Sequence, residues 1–564
     1  MHRFKQLRSC DLILALLLVV SAFLILNGLD RAALWDDEAQ VGVIARNLLK
    51  TGHLTGWDGR NLYGYFNGTL LDDRLDYINP PLDVLLAAAS IKLLGPTTLA
   101  VRLPFALCGI ASLIAFLALV RRSFDENPAH RVYAFALFAL NVSFILSART
   151  GRYYAISMLC QILVFVLYYR YLERRRLADA VGLVATLIVA FYASYLLAIG
   201  TLASVAAVHI LRHRRSLSKQ DIVPVTIAAG IFAVSTVPYA LIHKIWYRPD
   251  FVLSVNPWYV DRLTILWRSF RDMNTTATLP WMVAVLLLGL LVVNRRRALP
   301  APPVVYDWLI ALAAYFLAVG LFSPMPRTSD PAVADIRYMT GIFPFACGLA
   351  GVAAALLSRV SRELAVVLSA VAICSNALTW TPLPERQFPF TSKLRLTLPN
   401  LALEEMRPYP TENGAVAEFI NRNAAQDDLV MTVPSFFDNS LLFYCGDRVK
   451  ICGQLYLNAK LSLAEIRKVG PANFVEMSFP DWIVFSRFTP EDVNYLKYFE
   501  RPQQTPAGAM VSRRYRLAAI LPVYGAQTQR PELIWHVFGP VTKYKIESEA
   551  TYVFERDKSV ARAR

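Results

Sequence analysis

The chain has 564 residues, of which 55% are hydrophobic and 18% charged, with a formal net charge of +16. Soluble domains carry about 25% charged residues, so this composition, with a mean hydropathy of +0.40, indicates a multispanning membrane protein rather than a soluble one. The basic excess argues against a nucleic-acid partner because it stands in short clusters between apolar segments: residues 382–564 hold 23 Lys+Arg and 20 Asp+Glu, net +3, which leaves +13 (16 − 3) for residues 1–381.

In chain order, residues 12–29 form an uncharged apolar run behind Arg3, Lys5 and Arg8. The run is longer than the h-region of a signal peptide, about 7–15 residues, and lacks a small-x-small cleavage site, so it is expected to be a retained first helix with its N-terminus inside. A polar outer loop, 30–101, follows and opens with Leu34-Trp35-Asp36-Asp37-Glu38-Ala39. Within it, Leu85, Leu86, Ala89 and Leu93 have helical spacing, interrupted by Asp83 and Lys92, so 82–95 is too short and too polar to span and is expected to lie along the interface. Spans are predicted at about 102–120, 131–148, 153–170, 177–192, 194–211, 222–243, 279–294, 305–323, 338–358 and 363–380, eleven with the first.

The positive-inside rule supports that count. Arg121-Arg122, Arg170 with Arg174 to Arg176, Arg212 with Arg214-Arg215, Arg295 to Arg297, and Arg359 with Arg362 all fall on the N-terminal side. Residues 382–564 are then outside, with the loops 30–101, 149–152, 244–278 and 324–337. In loop 244–278, Tyr259, Leu263, Leu266 and Phe270 share one helical face, which predicts an amphipathic helix on the membrane.

Six prolines in 382–412 predict an extended linker. From 413 to 564 a soluble α/β domain is expected, with helices at 415–423, 438–444 and 463–469 and strands at 429–433, 449–452 and 482–485. Five cysteines lie in or beside apolar spans; Cys445 and Cys452, flanking a turn-like segment, could pair in an oxidising compartment.

Chemistry concentrates at the outer ends of the spans. Span interiors are nearly free of ionisable groups, which argues against the runner-up readings of a transporter or flippase; an envelope scaffold is the other rival. Asp36, Asp37 and Glu38 follow the first span, Arg149 and Arg152 the third, and Asp335 and Arg337 precede the tenth. Carboxylates facing guanidinium groups at the membrane surface suit group transfer from a lipid phosphate: arginine grips the phosphate as leaving group, and a carboxylate, here Asp37, takes the proton of an acceptor hydroxyl. Glu38 is expected to support it, and Asp36, Arg149, Arg152, Tyr153, Arg337 and Tyr338 to contact substrate.

The order Trp35-Asp36-Asp37-Glu38-Ala39, Asn79-Pro80-Pro81-Leu82, Val101-Arg102-Leu103-Pro104, Ala148-Arg149-Thr150-Gly151-Arg152-Tyr153-Tyr154-Ala155 and Arg337-Tyr338-Met339 resembles the GT-C glycosyltransferases. Within them it is similar to the protein O-mannosyltransferase and lipid A aminoarabinose transferase group. The resemblance covers about 1–381. It implies an α-helical polytopic membrane fold with a C-terminal extracytoplasmic domain, and a polyprenyl-phosphate sugar as donor. It also implies inverting transfer to a glycolipid, lipid A, polysaccharide or protein at the outer face of the cytoplasmic membrane. Two departures stand out. Asn79 occupies the place where aminoarabinose transferases carry Lys before Pro-Pro, and a second acidic position near the third and fourth spans is not evident. No obligatory metal or other cofactor is therefore expected, with a divalent cation left open.

Overall fold

The computed structural model describes residues 2–64, 68, 70–72, 74–124, 127–213, 219–243, 258–276, 303–323, 335–378, 396–406, 410–433, 438–452, 467–473, 480–485, 515–523 and 549–557. The predicted span 279–294 and the first part of loop 244–278 lie outside these residues.

The membrane half consists of helices α1 (His2–Leu26), α2 (Asp36–Thr51), α3 (Leu82–Leu94), α4 (Thr98–Ser123), α5 (Pro128–Ala139), α6 (Val142–Arg149), α7 (Tyr154–Arg174), α8 (Leu177–Ala193), α9 (Tyr195–Val208), α10 (Lys219–Ile242), α11 (Trp258–Thr276), α12 (Pro303–Phe322), α13 (Phe343–Leu357) and α14 (Arg362–Cys374). A 3-10 segment, Asp335–Ile342, leads into α13. Each predicted span except 279–294 overlaps a helix, and 131–148 is divided between two, α5 and α6. Among the described residues, five helical stretches are long and apolar enough to cross a membrane alone, and α5 with α6, bent by 53°, can form a sixth. The bend falls at Asn141, whose side chain accepts from Phe144 N at 3.1 Å and caps a new helix. Three further apolar helices are shorter, so span length alone does not establish the count of eleven. Leucines and valines of α1, α4 and α10 point outward, as lipid-facing side chains must where no water penalises them.

Helix α11 occupies part of that loop, and its predicted apolar face is divided between the surface and the bundle. Tyr259, Leu263 and Trp267 are exposed, while Leu266 packs on Gly320 of α12. Within the proline-rich 382–412, residues Leu398–Met406 form a helix, α15, rather than extended chain.

The C-terminal region contributes α16 (Glu412–Asn423), α17 (Asp438–Cys445) and a sheet of β1 (Leu429–Val433), β2 (Lys450–Ile451), β3 (Trp482–Phe485), β4 (Tyr515–Val523) and β5 (Glu549–Arg556). The order is β2-β1-β3-β5-β4, parallel over the first three and antiparallel over the rest. The parallel strands bury nearly every side chain, as parallel strands do when both faces are covered. Cys445 and Cys452 are both buried, and the disulfide considered between them does not form.

This region sits on α2. Gly42 faces the Phe443 ring so closely that a Cβ would lie 2.7 Å from it, and the missing side chain is what lets α17 approach. Asn61 ties the outer loop to the same region, donating to Gly446 O at 2.8 Å and accepting from Ile451 N at 2.9 Å.

Candidate active site

Four arginines converge on the connection between α1 and α2, and they do different things. The last carbonyls of a helix have no intrahelical donor. Arg149 supplies one: its guanidinium donates to Leu24 O at 2.7 Å, Ile25 O at 3.1 Å, Asn27 O at 2.6 Å and Gly28 O at 3.2 Å, and it pairs with Glu405 of α15. Burial pushes the Glu405 carboxyl up to about 7 against the pull of Arg149. Arg102 does the same for the next stretch, donating to Leu29 O at 2.9 Å and Ala32 O at 2.7 Å.

Arg102 also forks onto Glu38, Nε to Oε1 at 2.9 Å and Nη2 to Oε2 at 2.6 Å. Glu38 further accepts from Gly151 N at 2.7 Å and from Trp35 N at 3.3 Å, the latter satisfying the backbone N–H of the residue that precedes α2. Both oxygens of Glu38 are therefore engaged. These bonds tie the first turn of α2 to α4 and to the segment between α6 and α7.

That turn presents Asp37 to the other two arginines. Arg337 Nη1 donates to Asp37 Oδ2 at 2.8 Å, and Arg152 Nη2 stands 3.9 Å from the same oxygen. Each guanidinium lies over a neighbouring ring, Arg152 over Tyr153 and Arg337 over Tyr338, both at 5.3 Å. Asp37, Arg152, Tyr153, Arg337 and Tyr338, drawn from three distant stretches, thus come together. Arg149 does not join them, because the carbonyls at the end of α1 take its guanidinium. Asp36 points elsewhere too: its Oδ1 accepts from Asn439 of α17, beside Asp438, whose carboxyl burial holds well above the usual range.

The C-terminal region holds the residues just before this turn. Tyr444 OH accepts from Leu34 N at 2.9 Å, and Leu34 O accepts from Asn413 at 2.9 Å and Ser440 at 2.6 Å.

One carboxylate escaped the sequence reading. Asp83, at the start of α3, was an interruption in an apolar helix, yet it is buried and close enough to Arg152 to feel its charge. Its position directly after the motif Asn79-Pro80-Pro81-Leu82 is the available signal. Among the described residues no group of three or more His, Cys, Asp or Glu side chains is placed to hold a metal ion.

Residues 79–242 match the family model described as dolichyl-phosphate-mannose-protein mannosyltransferase. No curated protein sequence matches the chain. Among solved structures, the crystal structure of ArnT from Cupriavidus metallidurans bound to undecaprenyl phosphate matches with a TM-score of 0.52 at 16% identity, covering 96% of this chain and 97% of that one. The apo form of the same protein matches with a TM-score of 0.51 at 16% identity, over 87% and 95%. At that identity the likeness is one of fold. It agrees with the resemblance to GT-C proteins of the mannosyltransferase and aminoarabinose transferase kind that the motifs carry.

Proposed function

We propose that this chain, a multi-pass membrane protein whose fold is similar to that of the GT-C protein ArnT, is a glycosyltransferase that moves one sugar from a polyprenyl phosphate to an acceptor hydroxyl. The reaction takes place at the outer face of the cytoplasmic membrane. The observation that carries the reading is the Asp37 carboxylate held between Arg337 at 2.8 Å and Arg152 at 3.9 Å, at the ends of spans otherwise poor in charge. The match to the mannosyltransferase family model over 79–242 and the likeness to a structure bound to undecaprenyl phosphate support the lipid-phosphate donor.

In this reading the donor phosphate draws both guanidinium groups onto its oxygens, which releases Asp37 Oδ2 from its ion pairs. A carboxylate clamped by two cations is a weak base; once released it takes the acceptor proton as the acceptor oxygen bonds to the anomeric carbon. The bond from that carbon to the phosphate oxygen breaks, and the polyprenyl phosphate leaves with its new charge on Arg152 and Arg337. A single displacement inverts the anomeric centre. Eleven spans put residues 413–564 outside, beside this site, where they shape the acceptor cleft. The acceptor is a glycolipid, lipid A, a polysaccharide or a protein.

Asp37→Asn tests the reading. Removing a general base costs about 10²–10⁴-fold in rate, so the variant is expected to reach normal membrane levels yet lose transfer, measured by mass spectrometry of cellular glycolipids and glycans against a deletion strain. Normal transfer by Asp37→Asn overturns the assignment.

A further inference from the structure

Beside the Asp37 group lies a buried polar cluster that the proposed reaction leaves unused. Asp83 is 3% exposed. Its Oδ1 accepts from Val84 N at 2.8 Å, and it forms no ion pair among the described residues, unlike the buried Glu38 and Glu405. Leaving a carboxylate in that state is costly, and burial pushes its pKa up to about 6, with Arg152 the main charge opposing.

Tyr77 adjoins it and is equally buried. The Tyr77 hydroxyl accepts from Gln40 Nε2 at 2.7 Å and from Asn79 Nδ2 at 3.2 Å, which leaves its own proton for another acceptor. Gln40 is three residues after Asp37 on α2, so the two side chains share a helix face about 5–6 Å apart. Carboxylate, phenol and amide side chains in a dry site are the groups that read sugar hydroxyls, because each one left without its partner penalises the wrong ligand.

We propose that Asp83, Tyr77 and Gln40 form the subsite for the sugar of the glycosyl donor, Asp83 accepting hydrogen bonds from two adjacent hydroxyls of a pentose or hexose and Tyr77 donating to a third oxygen. The proposal rests on the donor reading given above. A phosphate on Arg152 places its attached sugar against Asp83 and Tyr77, one helical turn along from the base. The acceptor is left the other flank, where Asp36 meets the C-terminal region.

The test compares bare and glycosylated lipid. Tryptophan fluorescence of the purified full chain in detergent gives the Kd of undecaprenyl phosphate and of undecaprenyl phosphate carrying mannose, glucose or arabinose. In the unmodified protein at least one glycosylated lipid is expected to bind about tenfold tighter than the bare one. Asp83→Asn, which keeps the side-chain volume, is expected to abolish that gain while the bare lipid binds as before. Tyr77→Phe is expected to reduce it by about threefold. The subsite is overturned if the gain is absent from the unmodified protein, if both variants keep it, or if bare and glycosylated lipids weaken equally. Failure of the unmodified protein to bind any of the four lipids sinks the donor reading itself, and the subsite with it.

Discussion

At the residue scale, the four arginines are separated by what lies within reach of their side chains. Arg102 and Arg149 are buried to within a few per cent and saturated by carbonyls and a carboxylate, whereas Arg152 and Arg337 keep 12% and 17% of their side-chain surface and share one carboxylate oxygen. Removing one partner of a buried pair leaves the other uncompensated and costs about 3–5 kcal/mol. Arg149→Met is therefore expected to lower the thermal midpoint or the expression level sharply. Arg337→Met should stay folded and weaken undecaprenyl phosphate binding by about 10- to 100-fold, the loss of a charge-assisted hydrogen bond. Equal loss of stability in both variants contradicts this division. Asp83 has the opposite signature. Its carboxyl titrates near 6 in the native protein and near 3.9 when unfolded, so the native state is penalised progressively as pH rises from about 4 to 6 and carries the full penalty above that. Asp83→Asn should therefore be more stable than the parent at pH 8, by at most about 3 kcal/mol. That advantage should vanish toward pH 4 in denaturation of the purified protein. An advantage that does not change with pH refutes the assignment of the shift to this residue.

At the scale of elements, α2 is the pivot because both α3 and α17 pack on it. Few helices bury three acids in their first turn; this one can because those acids complement the positive end of the helix dipole and each finds a donor. The fit depends on Gly42, which admits the Phe443 ring. Gly42→Ala forces α17 away, and an overpacked contact of this kind costs about 1–3 kcal/mol. Slower transfer with unchanged affinity for undecaprenyl phosphate is the expected outcome, since the phosphate ligands come from elsewhere. A variant with parental rate and stability shows that the packing of α17 on α2 does not control the base.

At the scale of the whole molecule, the arrangement needs the outer loop and the C-terminal region on one side of the membrane and the arginine clusters on the other. Leu93 is 83% exposed at the end of α3, and Arg175 ends α7 near the opposite clusters. With impermeant maleimide on intact cells, Leu93→Cys should be labelled and Arg175→Cys should not until the membrane is opened. The reverse pattern inverts the topology and removes the proposed site from the outer face.

Hydropathy, charge placement and motif order were enough to locate nearly every described helix of the membrane half, the first strands of the C-terminal sheet and the Asp37, Arg152 and Arg337 group. These are properties of contiguous stretches, in which burial in lipid and helix or strand period act residue by residue. Arg149 and Arg337 look alike in that reading, as do Asp36 and Asp37, and Asp83 passes for an interruption. Their roles depend on which carbonyl ends, rings and carboxylates from distant parts of the chain lie within hydrogen-bonding distance. That was decided by how α1 ends, how α15 folds back as a helix over that end, and how closely α17 settles on α2, because a guanidinium binds the acceptors it can reach and burial decides which of those bonds it must make.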